Sequence, residues 1–362
     1  MSRVFRTALS IAIVALSAAC GFAGEDVKIK GKPLSKWLTQ LRNENRGLQV
    51  RAARALAEAP KELHEKIIPE VIPILASDRK NDRAFAAQVL GAYGPAARAA
   101  VPHLLPLFKD DQFERNRTSA AEALGCILAD AKSDKEVDGA VAALLSVFDD
   151  LYVDVRREAV RACGRIGLAA KACIPLLPER LEDVKHHAEG DGSANKAVHA
   201  AAAWTAGRMG NLSAKHIDLL IAMMHREDRN HRVSERVVTT VGLIGAVHKN
   251  VVPNVLDSLA RVIAEGSYGP IPYRIELVKA HFATLMRFEP KDLAAATDPL
   301  RAHLKKSGRN DFIAIGAMEV LAKIGKPAAE KAVPVIEESF ANSKKPEVKK
   351  AAEAALAALK KE

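Results

Sequence analysis

Aromatic residues are scarce in this chain of 362 residues, since phenylalanine, tryptophan and tyrosine together make up 4%. That scarcity counts against binding of single-stranded nucleic acid, which depends on aromatic side chains that stack on bases. Glycine and proline, at 21 and 17 residues, are too few for a disordered chain. Apolar residues nevertheless reach 49%, mostly alanine, leucine and valine, a composition typical of closely packed helices.

Cysteine is also scarce, with four residues in the chain. Apart from Cys20, the others are Cys126, Cys163 and Cys173, which lie among alanine, leucine, isoleucine and glycine on helical patterns. So small and odd a set is not a disulfide framework, and we interpret these three as small buried side chains. A Cys163–Cys173 bridge is geometrically conceivable and stays open as the alternative.

Catalytic motifs are missing as well. The sequence contains no HExxH, no P-loop, no GxSxG and no dinucleotide-binding GxGxxG at the start of a helix. We therefore predict a protein with no catalytic residues, no cofactor and no enzymatic activity.

The first 23 residues have the pattern of a secretory signal peptide. Arg3 and Arg6 precede an uncharged apolar run, 8–19, that is too short to span a bilayer, which takes roughly 20 residues. We predict export, either to the periplasm or as a secreted protein. Residues 16–20 also resemble a lipoprotein box, so lipidation at Cys20 is the alternative. No later segment is long and apolar enough to cross a membrane.

The chain carries a formal net charge of +10. This excess favours acidic partners, among them acidic polymers and acidic protein surfaces. Nucleic acid belongs to the same class of partner, but the predicted export disfavours it. Solvation of a long helical surface explains the same charge equally well.

Four stretches of the chain repeat one pattern, in which a glycine is followed by a small apolar run and then a proline. They are 94–102, 167–175, 245–253 and 325–334. Their glycines lie 73, 78 and 80 residues apart, about twice a unit of 36 to 40 residues. A fixed period of this length indicates a repeat protein, and repeat arrays mostly offer a long surface to a partner.

Apolar residues recur at helical spacing from residue 34 almost to the end, after a polar leader, 24–33. We predict an all-α solenoid of about nine stacked helix pairs over 34–362, with essentially no sheet. The pairs are expected at 34–58, 63–91, 97–129, 134–165, 169–209, 213–246, 248–287, 291–323 and 327–361.

The pairs share a sequence plan that 149–167 shows best. Prolines occupy the first helix, the turn contains aspartate, and the second helix opens with Val-Arg and continues Ala-Ala-x-x-Leu-Gly. This plan resembles HEAT repeats, in particular the short bacterial kind also described as bilin-lyase-like. The resemblance covers 34–361 and is weakest in the seventh pair, where 266–270 replaces the acidic turn. It implies the architecture of the chain but no particular activity.

The turn carboxylate of each pair is expected to reach the arginine of its own or the next second helix. We interpret such contacts as structural, each contributing ~0–1 kcal/mol where exposed. The predicted pairs are Asp78/Arg83, Asp110/Arg117, Asp154/Arg156 and Asp228/Arg232.

Basic residues recur on the second helices, which in HEAT stacks line the concave face. A line of cations there is a candidate surface for an acidic polymer, whereas salt bridges inside the repeats are the simpler interpretation. The candidate basic surface consists of Arg51, Arg83, Arg117, Arg156, Lys196, Arg232 and Arg236.

An insertion, 185–193, lengthens the turn of the fifth pair with histidines and carboxylates, and the next turn, 225–231, has a similar composition. Equivalent turns of stacked pairs lie side by side, roughly 10 Å apart, so the two turns together could hold a transition metal. The sequence shows no fixed spacing between the candidate ligands. A solvated polar loop is the simpler interpretation. The weak candidate ligands are His186, His187, Asp191, His225 and His231.

The sequence thus predicts a non-catalytic scaffold or adaptor that binds an unidentified protein through a curved, partly basic helical surface. A metal-binding or enzymatic role centred on 186–231 is the first alternative. Binding of a polyanion or nucleic acid through the second helices is the second.

Overall fold

The computed structural model of the protein describes residues 27–181, 193–210, 216–225, 231–244, 251–265, 271–306 and 310–361. Within these residues, α-helices follow one another in nine pairs. The first helices are α1 (Leu34–Leu41), α3 (His64–Val71), α5 (Val101–Asp110), α7 (Lys135–Ser146), α9 (Leu177–Leu181), α11 (Ile217–His225), α13 (Val251–Glu265), α15 (Thr297–Lys306) and α17 (Lys326–Ser339). The second helices are α2 (Arg46–Ala57), α4 (Lys80–Ala92), α6 (Glu114–Ile127), α8 (Val153–Ile166), α10 (Ser193–Met209), α12 (His231–Ile244), α14 (Ile271–Leu285), α16 (Asp311–Ile324) and α18 (Pro346–Leu359).

The predicted all-α solenoid is confirmed. Each second helix packs against its own first helix and against the second helices of neighbouring pairs. A pair cannot bury its apolar stripe alone, so stacking creates one core that runs along the array.

The repeated glycine-to-proline segments connect one pair to the next. Gly94–Ala100 and Gly167–Leu176 are 3₁₀ segments that follow α4 and α8. Gly94, Gly167 and Gly325 have φ values of 57°, 74° and 71°, a left-handed conformation that a side chain disfavours. The glycine therefore ends the second helix and turns the chain toward the next pair, and the equivalent Gly245 lies outside the described residues.

The leader contributes the small departure from a purely helical structure. Lys28–Ile29 and Lys32–Pro33 pair as two antiparallel strands, β1 and β2, with Ile29 opposite Lys32. The Ile29 side chain is buried, and its carbonyl oxygen accepts a 2.8 Å hydrogen bond from Trp37 Nε1 on α1. The expectation of essentially no sheet thus misses one hairpin, which covers the open end of the apolar stack.

From α4 to α12, the second helices approach one another closely because each presents a glycine to the next second helix. A methyl group added at Gly125 would lie 2.7 Å from Ala162 Cα, and one at Gly242 would lie 2.8 Å from Thr284 Cγ2. Both distances are shorter than van der Waals contact allows. The contacts in chain order are Gly91 to Ala123, Gly125 to Ala162, Gly164 to Trp204 and Thr205, Gly207 to Thr240 and Leu243, and Gly242 to Thr284.

Candidate interaction surface

The arginines that open α4 and α6 point between repeats rather than onto the surface. Arg83 Nε donates to Asp111 Oδ2 at 2.7 Å, and Arg117 donates to both carboxylate oxygens of Asp150 at 3.0 and 3.1 Å. The Arg117 and Asp150 side chains are only 12% and 11% exposed. Each arginine therefore forms a largely buried ion pair with the turn of the following pair.

This geometry corrects the predicted pairing. Arg83 meets the backbone carbonyl of Asp78, not its carboxylate, and Asp154 pairs with Arg157 instead of Arg156. For Arg83 and Arg117 the carboxylate comes from the turn of the next pair, whereas the helix's own turn contributes a backbone carbonyl. The remaining predicted partners, the side chains of Asp110, Asp228 and Arg232, lie outside the described residues.

The aspartates of these contacts also fix the turns that they belong to. Asp111 and Asp150 accept 2.9 Å hydrogen bonds from the backbone amides of Phe113 and Tyr152. Arg117 lies over the Tyr152 ring at 5.5 Å, so the guanidinium is held on two sides. Burial alone would raise the Asp111 pKa, but hydrogen bonds from Arg83, the Phe113 amide and Asn116 outweigh it and hold that pKa below its ordinary value.

Three arginines of the candidate basic surface are largely or fully buried between the repeats. Arg83 and Arg117 are engaged as described, and Arg156 is only 1% exposed, with Nη1 bonded to the Asp150 carbonyl oxygen at 2.8 Å. Arg51 and Arg236 are exposed. The side chains of Lys196 and Arg232 lie outside the described residues, so the line of cations is not continuous where the structure describes it.

Arginines that remain at the surface of α8 and α10 face carboxylates. Arg157 and Arg161 both pair with Glu158, at 2.9 and 3.2 Å. Arg208 pairs with Asp130. Charges of opposite sign alternate here, which leaves no strongly positive groove for a polyanion.

The metal hypothesis finds little support among the residues that can be located. His186, His187, Asp191 and the His231 side chain lie outside the described residues. His225 is placed, and its Nε2 lies 2.7 Å from Asn254 Oδ1 while its Nδ1 faces the Arg261 guanidinium. A fixed cation on that nitrogen opposes a metal ion. In the described part of the chain, no group of three or more histidine, cysteine, aspartate or glutamate residues is arranged to hold one.

An open apolar groove lies between α14 and α16. Its volume is about 250 Å³. Met286 and Phe312 on its walls are 38% and 43% exposed, so each leaves part of a large apolar side chain in contact with solvent. The lining residues are Lys279, Phe282, Ala283, Met286, Phe312, Ile315, Gly316 and Glu319.

The sequence creates this groove by breaking the glycine pattern at one position. Met286, just after α14, lies two residues beyond Thr284, the threonine that contacts Gly242 of the preceding second helix. The equivalent position in the five preceding pairs is a glycine, namely Gly91, Gly125, Gly164, Gly207 and Gly242. A methionine there prevents the close approach, and α14 packs less extensively on α16 than on α12.

Small residues then give the groove its depth. The Phe282 ring lies against the backbone of Gly316, where an added methyl group would come within 2.3 Å of the ring. The ring thus sinks into α16 and forms the floor, while Ala283 leaves the space above it unfilled. Lys279 Nζ lies 5.1 Å from the Phe312 ring centre and orients that ring at the rim.

Sequence reasoning missed the groove, although two signals were available. At the end of α14, Met286 follows Leu285 where the five preceding second helices have a glycine after a small or apolar residue. Phe312 is the second residue of α16, and the matching positions of α6 and α8 hold the charged residues Arg115 and Asp154. Both signals become visible once the second helices are aligned position by position.

Comparison with known proteins supports the repeat and the architecture. The family model for HEAT repeats matches residues 34–125. Among solved structures, the chain is similar to Kap95p in a complex with RanGDP, with a TM-score of 0.66 and 15% identity, covering 90% of this chain and 47% of that one. It is also similar to importin β, with a TM-score of 0.66 and 12% identity, covering 99% of this chain and 53% of that one. A third similar structure is Kap121p bound to Pho4p, with a TM-score of 0.61 and 15% identity, covering 90% of this chain and 39% of that one. No relative is found among curated proteins.

These similarities establish the fold only, because sequence identity is low. The chain spans about half the length of the Kap95p and importin β chains that it matches. Across the described residues, no helix combines the length and apolar character needed to cross a membrane.

Proposed function

We propose that this protein is a non-catalytic interaction scaffold whose groove between α14 and α16 binds an apolar segment of another protein. The observation that carries the proposal is the pair Met286 and Phe312, two large apolar side chains held exposed on opposite walls of one cavity. Exposed apolar side chains of this kind lose water-accessible area on binding, which favours association.

The size and composition of the groove favour a protein partner over a small molecule. A cavity of about 250 Å³ is smaller and more open than typical ligand pockets, which run from about 300 to 1,000 Å³. It accommodates one or two apolar side chains, as expected for an anchoring contact in a protein interface. No catalytic group faces it among the described lining residues, which offer one lysine and one glutamate at the rim.

Solved relatives of the same architecture support this class of function without identifying a partner. Kap95p is known in complex with RanGDP and with Nup1, and Kap121p bound to Pho4p. In each case a helical solenoid binds protein. For the present chain, the partner remains a protein of unidentified sequence that presents apolar side chains.

Export belongs to the proposal on sequence grounds alone. Residues 1–23 have the signal-peptide pattern given above and lie outside the described residues. We therefore place the scaffold in the periplasm or outside the cell of a bacterium, with lipidation at Cys20 as the alternative to a free chain. Mass spectrometry of the mature N-terminus separates the two, because a lipidated Cys20 adds the mass of its acyl groups.

Site-specific photo-crosslinking tests the groove directly. A photoreactive benzoylphenylalanine replaces Phe312 in one variant and Val50 in another, since Val50 is an exposed apolar residue of α2 outside the groove. We expect the probe at 312 to capture a protein of defined mass from cells that make the full chain, and the probe at 50 not to capture it. Equal capture at both positions, or capture at 50 alone, would contradict the proposal.

A further inference from the structure

The two walls of the groove carry their lining residues at the same helical spacing. On α14 the lining residues are Lys279, Phe282, Ala283 and Met286, and on α16 they are Phe312, Ile315, Gly316 and Glu319. Each set follows the spacing i, i+3, i+4 and i+7, so each wall is one face of a helix over a length of about 10 Å. The Met286 amide still donates to the Phe282 carbonyl oxygen at 2.9 Å, which continues this face past the end of α14.

Contacts at the two ends of the groove place the walls side by side in the same direction. Lys279 Nζ lies over the Phe312 ring where both walls begin. Lys323 Nζ, one turn beyond Glu319 on α16, donates to the Met286 carbonyl oxygen where both walls end. The groove is therefore a channel that runs parallel to two helices, and a third helix lying along it would meet both walls.

The groove offers little to the backbone of a bound segment. The backbone groups of α14 and α16 are bonded within their own helices, and of the lining residues only Lys279 and Glu319 carry polar side chains. An extended segment would bury its amide and carbonyl groups against apolar side chains without partners, which is costly. A helix pairs these groups internally, so it places apolar side chains in the groove without that cost.

Glu319 is the charged lining residue that leaves its side chain available to a partner. Lys279 is already paired with Glu276 at 2.9 Å, and Lys323 is bonded to Met286. Glu319 is exposed, and across the described residues it takes part in no ion pair. A bound helix that covers this carboxylate removes its water, which is costly unless the helix supplies a positive charge.

We propose that the groove binds an amphipathic helix whose apolar face fills the space between Met286 and Phe312 and whose lysine or arginine pairs with Glu319. This inference rests on the proposed function, since it specifies the kind of segment that the groove binds. The apolar contact supplies most of the attraction. The ion pair selects helices with a positive charge beside the apolar face over helices with a negative one.

Fluorescence anisotropy with defined peptides tests the inference on the full chain. Three labelled peptides share one leucine face, at spacing i, i+3, i+4 and i+7, and carry only lysine, only glutamine or only glutamate at the positions flanking it. A fourth is the lysine peptide with a proline in the middle of its polar face, which breaks the helix. We expect the lysine peptide to bind at least about fivefold more tightly than the glutamine peptide. The glutamate peptide should bind more weakly still, and the proline peptide should lose most of its affinity.

Variants of the protein assign the preference to one carboxylate. Glu319→Gln should remove most of the preference for lysine, whereas Glu338→Gln, at an exposed glutamate of α17 outside the groove, should leave it unchanged. A preference for lysine that survives Glu319→Gln would overturn the inference, because the positive charge would then be recognised elsewhere. Equal affinity of the lysine peptide and its proline form would overturn it as well.

Phe312→Asp distinguishes a failure of this inference from a failure of the proposed function. If all four peptides bind alike and all lose affinity in Phe312→Asp, the groove binds apolar segments and only the requirement for a basic helix is wrong. Peptide binding that persists in Phe312→Asp would contradict both. If no peptide binds, the inference fails, and photo-crosslinking at position 312 still decides whether the groove binds a partner.

Discussion

The second to fourth pairs and the fifth to seventh pairs stack with the same period but are held together by different chemistry. In the former, Arg83 and Arg117 reach the turn aspartates of the next pair in largely buried ion pairs. In the latter, a threonine hydroxyl of each second helix donates to a backbone carbonyl of the preceding second helix. These bonds are Thr205 to Val160 at 2.8 Å, Thr240 to Ala203 at 2.7 Å and Thr284 to Val238 at 3.0 Å.

Both arrangements depend on the same glycine. Where alanine faces it, as Ala162 faces Gly125, the contact at the glycine is apolar, and the turn adds a polar contact through arginine and aspartate. Where threonine faces it, as Thr284 faces Gly242, the close approach itself brings the hydroxyl to the carbonyl. The repeat therefore tolerates changes in its polar contacts as long as the glycine is kept.

The groove lies where both arrangements stop. Met286 replaces the glycine, and the residue that would carry the hydroxyl on α16 is Val320. With neither contact available, α14 and α16 separate and leave Phe312 and Met286 exposed. The candidate binding site thus lies where the glycine contact that recurs in the preceding pairs is absent.

The largest effect is expected at the buried ion pairs. Asp150→Ala leaves the Arg117 guanidinium buried without its counter-charge, and removing one partner of such a pair costs about 3 to 5 kcal/mol. Asp298→Ala is the control, because its pair with Lys331 is solvent-exposed and is expected to contribute little to stability. Urea unfolding measures the free energy of unfolding of both variants. Similar losses in the two would show that the Arg117–Asp150 pair stabilises the protein no more than an exposed ion pair does.

The two regions are also expected to respond to different pH ranges. Burial, helped by the Arg261 charge and opposed by a hydrogen bond to Leu277, lowers the pKa of His281 on α14 to about 4. Protonation between about pH 6.5 and 4 therefore favours the unfolded chain, and the stability due to neutral His281 is complete above this range and lost within it. The loss amounts to about 3 kcal/mol.

Hydrogen exchange resolves this difference along the chain. We expect α14 to lose protection as the pH falls from about 6.5 to 4, and His281→Gln to flatten that dependence. The turn of α6 should keep its protection across this range, since the lowered pKa of Asp111 keeps its carboxylate charged throughout it. A loss of protection at the same pH in both regions would contradict the assignment.

An intermediate effect is expected at the helix contacts. Gly125→Ala forces α6 away from α8, because the new methyl group would lie 2.7 Å from Ala162 Cα, and overpacking of this kind costs about 1 to 3 kcal/mol. Gly139→Ala is the matched control, since nothing lies within 4 Å of the added methyl on α7. It should stabilise by about 0.5 to 1 kcal/mol through helix propensity. Thermal unfolding that shifts both variants in the same direction would argue against close packing at Gly125.

The smallest effect is expected at the threonines. Thr240→Val preserves shape and removes one hydroxyl donor, so we expect a loss of about 1 kcal/mol. Thr239→Val, next to it, removes a hydroxyl that bonds within its own helix and serves as the control. A larger loss at position 239 than at 240 would show that the contact between helices contributes little.

Much of the fold was predictable because helical spacing and the recurring Gly-to-Pro segments are local properties of the sequence. Pairings between repeats were not, since the partner of Arg83 depends on the stagger that places Asp111 opposite it. The groove required a comparison across repeats to reveal Met286 in a glycine position. The predicted metal ligands His186, His187 and Asp191 stay predictions.

The most direct test of the account is the affinity of the protein captured at position 312 for the full chain and its variants. We predict that Phe312→Asp and Met286→Asp each weaken binding by at least about tenfold, as expected for anchor residues of an interface. Leu168→Asp alters a still more exposed apolar residue outside the groove and should change the affinity by less than about twofold. Unchanged affinity in both groove variants, or an equal loss in Leu168→Asp, would contradict the assignment of the groove as the binding site.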